Sequence, residues 1–127
     1  INKRPVKKGD YPKFFRHDEQ LIKIGWSKKE KAEYQHKAPR RVIGALANAI
    51  VQRLGNGKLF KVEDILPLKD LQQGDELPAY QVYVALAWLK SGGFLIQKGR
   101  QGYKAQRLSN FCDMVMRAWS SLPEQEE

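Results

Sequence analysis

The side chains that could take part in covalent or metal chemistry are few and widely spaced. The two histidines, His17 and His36, sit among charged residues, and neither lies at metal-ligand spacing from the single cysteine, Cys112. Cys112 falls on the apolar side of a predicted helix, where a small buried hydrophobe is commoner than a nucleophile. No cysteine pair exists for a structural zinc site. The expectation is therefore a chain with no catalytic site, no metal and no cofactor.

Acidic residues and glycines form no known cation or phosphate motif. Asp64, Asp70, Asp75 and Glu76 miss the spacing of a calcium-binding loop, so solvated loop carboxylates are the simpler interpretation. Gly-Asn-Gly at 55–57 lacks the lysine and hydroxyl residue of a phosphate-binding loop. The sequence holds no catalytic triad and no paired carboxylates in a plausible cleft. These patterns predict a binding module rather than an enzyme.

The cations form the pattern that points to a ligand. The net charge is +9, and residues 1–41 carry 13 Lys and Arg against 5 Asp and Glu, a balance of +8. Residues 42–127 carry 10 against 9, a balance of +1. This asymmetry suggests a basic arm on a near-neutral body, for which polyanion binding is a commoner reason than solubility alone. The candidate phosphate-binding cations of the first part are Lys7, Lys8, Lys28, Lys29, Arg40 and Arg41; a solvated helix face is the alternative for the last four.

A second group of cations lies in residues 94–107, which contain no acid. Two short apolar runs flank Gly99 and Gly102, and this pattern predicts a β-hairpin with a basic tip. Such a hairpin could neutralise phosphates without competing repulsion, whereas a merely solvated turn is the alternative. The candidate residues here are Lys98, Arg100, Gln101, Lys104 and Arg107.

The elements before residue 39 are predicted to form a basic extension. Residues 1–12 lack periodicity and contain prolines and a glycine, which predicts a flexible arm. Two apolar runs, 14–16 and 21–26, predict a short hairpin. Its Phe14, Phe15 and Trp26 could stack on bases, although anchoring of the hairpin is the commoner role. Ser27-Lys28-Lys29-Glu30 has the pattern of a capping box and predicts a polar helix from Lys28.

From Pro39 onward the apolar spacing predicts mainly helices. A helix beginning near Pro39 has apolar residues at intervals of three and four and ends before Gly55. A brief strand at 59–62, one helical turn before Pro67 and a loop over 69–77 follow. A second long helix covers 78–91, and a third begins after Ser109 and runs through Leu122. The acidic residues 123–127 are expected to be a frayed end.

This order of helix, strand, short helix, loop, helix, strand, basic turn, strand and helix resembles the winged helix-turn-helix family. The local resemblance is Leu89-Lys90-Ser91-Gly92-Gly93-Phe94-Leu95-Ile96, which is similar to the exit of the family's recognition helix. The segment 98–103 is similar to its wing. The resemblance covers about residues 39–107 and implies an α+β, mainly helical fold. The expected parts are a basic extension (1–38), a winged-helix domain with a C-terminal helix (39–122) and an acidic tail (123–127).

The resemblance implies that helix 78–91 enters a major groove while the wing contacts backbone or minor groove. Tyr80, Gln81 and Lys90 would then reach phosphates or bases. That helix has no arginine, however, and Val84 and Trp88 were expected on its outer face, which is more typical of a packing surface. The predicted partner is nucleic acid, with DNA favoured over RNA. The alternative is a protein-interaction domain that uses the apolar face around Val84 and Trp88.

Two further expectations concern assembly and location. Residues 110–122 offer more apolar surface than one helix stripe needs, so they could form a homodimer or complete the monomer core. No apolar run approaches the roughly 18 residues that a membrane span requires. The single cysteine and the polar, basic N-terminal residues, which do not resemble a signal peptide, predict an intracellular protein of the cytoplasm, nucleoid or nucleus.

Overall fold

The computed structural model describes residues 11–54, 58–106 and 109–125, which form an α+β fold of four helices and two antiparallel sheets. The first sheet has the order β1-β2-β3 and the second pairs β4 with β5. The elements in chain order are β1 (Lys13–His17), β2 (Gln20–Ser27), β3 (Ala32–Pro39), α1 (Arg40–Leu54), α2 (Val62–Ile65), α3 (Ala79–Ser91), β4 (Leu95–Gln97), β5 (Tyr103–Ala105) and α4 (Phe111–Ser121).

The predicted N-terminal hairpin is confirmed as β1 and β2. Asp18 and Glu19 turn the chain with φ values of +49° and +62°, the left-handed conformation that tight hairpin turns need. In the register of the sheet, Leu21 of β2 lies beside Arg16 of β1 and Ala38 of β3. Leu21 and Ala38 are both fully buried and belong to the main hydrophobic core. The sheet is therefore joined to the helices rather than carried as a separate extension.

The helix predicted from Lys28 is wrong, because the chain turns back as β3. The Ser27 hydroxyl accepts a hydrogen bond of 3.1 Å from the Glu30 N–H, as a capping box would require. The same bond serves a turn equally well. Lys31 then adopts a φ of +52°, which stops a helix. Residues 32–39 pair along the full length of β2, and this pairing outweighs their helical propensity.

The core lies between α1, α3 and α4. The predicted apolar face of α1 is confirmed, with Ile43, Leu46 and Ile50 fully buried. Helix α1 contacts both α3 and α4. Helix α1 begins at Arg40, directly after Pro39. The ring of Pro39 fixes its φ, and Pro39 has no backbone N–H that could donate a helical hydrogen bond. The sequence pattern thus placed this helix and its core face.

Helix α3 is covered on more sides than its sequence suggested. It contacts α1, β4 and both β2 and β3 of the N-terminal sheet. As a result, Val84 is only 3% exposed and Trp88 only 4%. The expectation that these two residues form an outer face is wrong, because the sheet and the neighbouring helices bury them. An interaction surface centred on Val84 and Trp88 is therefore excluded in this fold.

The second sheet is the predicted hairpin, with a single residue attached to its edge. Tyr103 of β5 and Phe60 exchange backbone hydrogen bonds of 2.7 and 2.8 Å. The brief strand predicted at 59–62 is thus reduced to one bridging residue, because α2 begins at Val62. The Phe60 side chain is buried, with its ring centroid 5.9 Å from that of Tyr103.

Helix α4 completes the core. Phe111, Val115 and Trp119 are buried, which leaves Met114 as the large apolar side chain of this helix that reaches solvent. Asn110, with φ of +59°, precedes the helix in place of the predicted Ser109 cap. Of the two expectations for residues 110–122, completion of the monomer core accounts for the buried stripe. Among the described residues, no helix is both long and apolar enough to cross a bilayer.

The segment after α4 pairs with β1, so the predicted frayed end is wrong for residues 123–125. Arg16 N–H donates to the Pro123 carbonyl and the Gln125 N–H donates to the Arg16 carbonyl, both at 3.0 Å. The Arg16 Nε also donates to the Leu122 carbonyl at 3.0 Å. Its Nη1 lies 3.5 Å from the carboxylate of Glu124. These contacts pair the backbone groups of Arg16 at the outer edge of β1, where they would otherwise have no strand partner.

Replacing Arg16 with methionine should lower the free energy of unfolding by about 1–2 kcal/mol. Methionine keeps an unbranched apolar stem but cannot donate to the half-buried Leu122 carbonyl, and leaving such a group without a partner costs about 1–3 kcal/mol. Urea denaturation followed by circular dichroism would measure the change. Glu124→Gln is the matched control, because an exposed ion pair contributes about 0–1 kcal/mol. Equal losses in the two variants would contradict the role of the Nε bond.

Candidate nucleic-acid interface

The basic hairpin predicted from the sequence is held in place at its base. We call β4, β5 and the turn between them the wing. Its β5 edge is hydrogen-bonded to Phe60, as described above, and Leu95 and Ala105 are buried against the core. In the register Leu95 lies opposite Ala105, and Ile96 lies opposite Lys104. Since side chains alternate along a strand, Lys104 points to the face away from the core.

The turn of the wing is short and internally hydrogen-bonded. Residues Gly99–Gln101 form one 3-10 turn, with the Gln101 N–H donating to the Lys98 carbonyl at 3.0 Å. The Lys98 N–H donates to the Gly102 carbonyl at 2.7 Å. Gly102 has φ of +118°, a conformation open essentially to glycine alone. A Cβ there would also overlap the Phe60 carbonyl oxygen. The backbone at Gly99 and Gly102 therefore determines the positions of Arg100 and Gln101, which lie between these two glycines.

The wing presents its polar side chains to solvent. Lys98, Arg100, Gln101 and Lys104 are all exposed. Within the described part of the chain, the ion pairs join other residues, and none engages these three cations. Cations without carboxylate partners on an anchored turn can neutralise phosphates with little loss of conformational freedom.

Helix α3 adds a narrow exposed stripe whose C-terminal end lies next to the wing. Tyr80 is 60% exposed and Tyr83 is 50% exposed, and Ala87 and Lys90 continue the same face at helical spacing. The Lys90 ammonium donates to the Gln97 Oε1 at 2.6 Å, which brings the end of α3 next to β4. The structure therefore places Lys90 together with the wing, as the sequence had grouped them.

Gln81 does not fit the role predicted for it. Its Nε2 donates to the Tyr80 hydroxyl at 3.1 Å, and its Oε1 is buried without a hydrogen-bond partner. A glutamine reads adenine by presenting both its oxygen and its nitrogen. In this conformation one of the two groups is buried, so the arrangement does not favour the base-reading role predicted for Gln81.

Sequence reasoning missed two residues of this surface. Tyr83 is not among the predicted nucleic-acid contacts, although its spacing from Tyr80 and Lys90 places it on the stripe that the structure exposes. Gln97 was not singled out at all. It lies two residues after Leu95, which is buried, so strand alternation puts both side chains on the face that meets α3.

The other predicted cations lie elsewhere in the fold. Lys28 and Lys29 are exposed in the turn between β2 and β3. Arg40, at the start of α1, is engaged by the Glu19 carboxylate at 3.1 Å, whereas Arg41 is exposed. No hydrogen bond or ion pair joins these positions to the wing in the described ranges. Lys7, Lys8 and Arg107 lie outside the described residues.

The residues considered for covalent or metal chemistry remain apart. His17 contacts Asp18 at 3.1 Å, and the His36 ring lies 4.9 Å from that of Tyr34. Burial raises the pKa of the Cys112 thiol, and the adjacent Asp113 carboxylate raises it further. Cys112 is therefore protonated near neutral pH, which makes it a poor nucleophile. Within the described ranges, no group of three or more His, Cys, Asp or Glu could hold a metal ion.

Comparison with known proteins identifies no relative. No family model matches the chain, and neither a curated protein nor a solved structure matches it.

Proposed function

We propose that this chain is a winged helix-turn-helix module that binds double-stranded DNA through the phosphate backbone. The order α1, Phe60, α2, α3, β4, β5 supports this assignment. The hairpin of β4 and β5 follows the third helix, α3. Its second strand, β5, is bridged to Phe60, which lies between α1 and α2. The observation that carries the proposal is the wing, an anchored hairpin next to Lys90 whose three cations are exposed and have no carboxylate partner in the part of the chain that the structure describes.

The exposed stripe of α3 favours phosphate contacts over base readout. The hydroxyls of Tyr80 and Tyr83 can donate to phosphate oxygens, but the stripe has no arginine, asparagine or freely presented glutamine. Duplex DNA suits this surface better than duplex RNA. The major groove of B-form DNA is about 12 Å wide and admits a helix, whereas that of A-form RNA is too narrow for side chains to read.

The experiment is binding of a labelled duplex of about 20 base pairs over a salt series, since each phosphate contact contributes about −0.9 to the slope of log K against log salt. The variant K98A/R100A/K104A should flatten this slope by roughly 1–3 units and weaken binding at low salt. K37A/K69A/R117A is the matched control. It removes the same charge from exposed positions that are neither in the wing nor next to Phe60, and it should keep the slope of the unmodified chain.

Two results would contradict the proposal. If both triple variants flatten the slope equally, net charge and not the wing is responsible for binding. If no duplex DNA binds at low salt, the assignment itself fails.

A further inference from the structure

A cavity of about 470 Å³ lies on the N-terminal sheet, apart from the wing. Aromatic rings and lysines form its wall, and we call it the sheet pocket. It is lined by Tyr11, Pro12, Lys23, Gly25, Trp26, Lys28 and Tyr34. Among the described residues the lining holds three rings, two cations and no acid, and the core does not explain this combination.

The position of Tyr34 depends on Gly25. The two residues lie opposite each other in the register of β2 and β3. A Cβ on Gly25 would overlap the Tyr34 ring, so the ring lies over the glycine backbone. Glycine in the middle of a strand weakens the sheet unless something approaches its backbone closely. Here the close approach holds an aromatic ring across the sheet at the edge of the cavity.

The second aromatic group is built from Tyr11 and Trp26. Their ring centroids are 5.8 Å apart, with an angle of 31° between the planes. Lys13 Nζ lies 4.9 Å from the centroid of the Tyr11 ring. Trp26 is half-buried, whereas Trp88 and Trp119 are in the core. The sheet pocket thus has ring surfaces contributed by residues on both sides of its glycine.

The charge of the lining residues determines which kind of ligand can bind among the aromatic rings of the sheet pocket. Lys23 and Lys28 line the cavity, and their ammonium groups would repel a quaternary ammonium or methyl-lysine. Glu33 lies opposite Trp26 in the register and is outside the lining. The chemistry therefore fits a ligand that carries a flat ring and a negative charge on the same unit.

We propose that the sheet pocket binds an unpaired nucleotide of a single strand, stacking its base on Tyr34, Trp26 or Tyr11 and holding its phosphate with Lys23 and Lys28. Stacking on aromatic side chains beside a basic groove is how proteins hold single strands without reading their sequence. This site goes beyond duplex binding by the wing and does not depend on it. Of the aromatics considered from the sequence, Phe14 instead packs against the core, and only Trp26 lines the cavity.

The test uses the full chain and ten-nucleotide labelled oligothymidylate and oligouridylate in separate titrations. Both should bind. Both should also quench the part of the tryptophan fluorescence that comes from Trp26, and this quenching should be absent in the Trp26→Phe variant. Tyr34→Ala should weaken binding about 5- to 100-fold, the usual effect of removing one stacking ring. Phe15→Ala is the control, because it removes a half-buried ring of the same sheet that does not line the sheet pocket. The two oligonucleotides decide whether DNA or RNA is preferred.

A second pair of variants leaves the aromatic rings unchanged, so that a folding defect is not mistaken for a loss of binding. K23A/K28A leaves every ring in place and should weaken oligonucleotide binding and its salt dependence. K31A/K37A removes the same charge from exposed positions on the same sheet that do not line the cavity, and it should bind normally. The proposal is overturned if neither oligonucleotide binds, or if each control weakens binding as much as its partner variant.

The wing variant K98A/R100A/K104A separates this site from duplex binding. It should lose duplex affinity and still show full Trp26 quenching at saturating oligonucleotide. Loss of quenching in that variant would overturn an independent sheet pocket. Loss of duplex binding alone would leave the sheet pocket supported.

Discussion

Replacing Trp88 with alanine should lower the free energy of unfolding by about 3–5 kcal/mol, the usual cost of truncating a large buried aromatic side chain. Trp88 is 4% exposed and joins three elements. Its ring lies 6.5 Å from Trp119 of α4 at 84°, and 6.4 Å from Phe94 beside β4. The cavity left by the truncated side chain could not be filled by one neighbour, because Trp119 and Phe94 belong to different parts of the fold. Urea denaturation would measure the loss.

Tyr83→Ala is the control for Trp88→Ala on the same helix. Tyr83 is 50% exposed, and surface substitutions of this kind usually change stability by less than about 0.5 kcal/mol. Both variants replace an aromatic residue of α3 with a strong helix former, so helix propensity does not separate them. A small loss at Trp88, similar to that at Tyr83, would show that the packing of α3 on α4 is not what stabilises the fold.

Replacing Gly102 with alanine should cost about 2–4 kcal/mol and detach the wing from Phe60. At φ of +118° an alanine is strained, and its Cβ would lie 2.8 Å from the Phe60 carbonyl carbon. Relief of this overlap requires the two backbone hydrogen bonds between Phe60 and Tyr103 to lengthen or break. Duplex binding should weaken as well, because the cations of the turn would no longer be held against α3.

Gly99→Ala separates backbone strain from the steric overlap. Gly99 has φ of +54°, but a Cβ there meets no atom within 4 Å. Its cost should be only the left-handed penalty of about 1–2 kcal/mol. Amide hydrogen exchange at Tyr103 would check the distinction. Faster exchange is expected in Gly102→Ala and near-normal exchange in Gly99→Ala, and the same rate in both would contradict the anchoring of the wing by Phe60.

Local pattern was enough to predict the helices and hairpins that bury one clear face. Helix α1 followed from its apolar spacing, and the wing followed from two glycines between apolar runs. Strand β3 could not be predicted in this way. It is an edge strand in which only Ala38 is buried and most other side chains are exposed, so it lacks the alternation of a half-buried strand. The Ser27 pattern favours a helix instead.

The errors in the candidate site have a different cause. Val84 and Trp88 are apolar whichever element covers them, and only the packing of the neighbouring elements on α3 reveals that they are internal. The sheet pocket was not predicted because Tyr11 and Tyr34 are far apart in sequence and line the same cavity only after the strands of the sheet have paired. The wing cations were predictable because they lie within a few residues of one another in one hairpin.

The hydrogen bond from Arg16 to the Leu122 carbonyl joins residues 106 positions apart in the sequence. Closing so long a loop has a high entropic cost, so contacts of this kind tend to form only after the intervening chain has folded. Because the bond ties the first strand to the segment after the last helix, the sheet and the helical core should unfold together. Amide protons at Arg16 and Gln125 should therefore exchange with solvent at the same rate, and that rate should follow any substitution that destabilises either half.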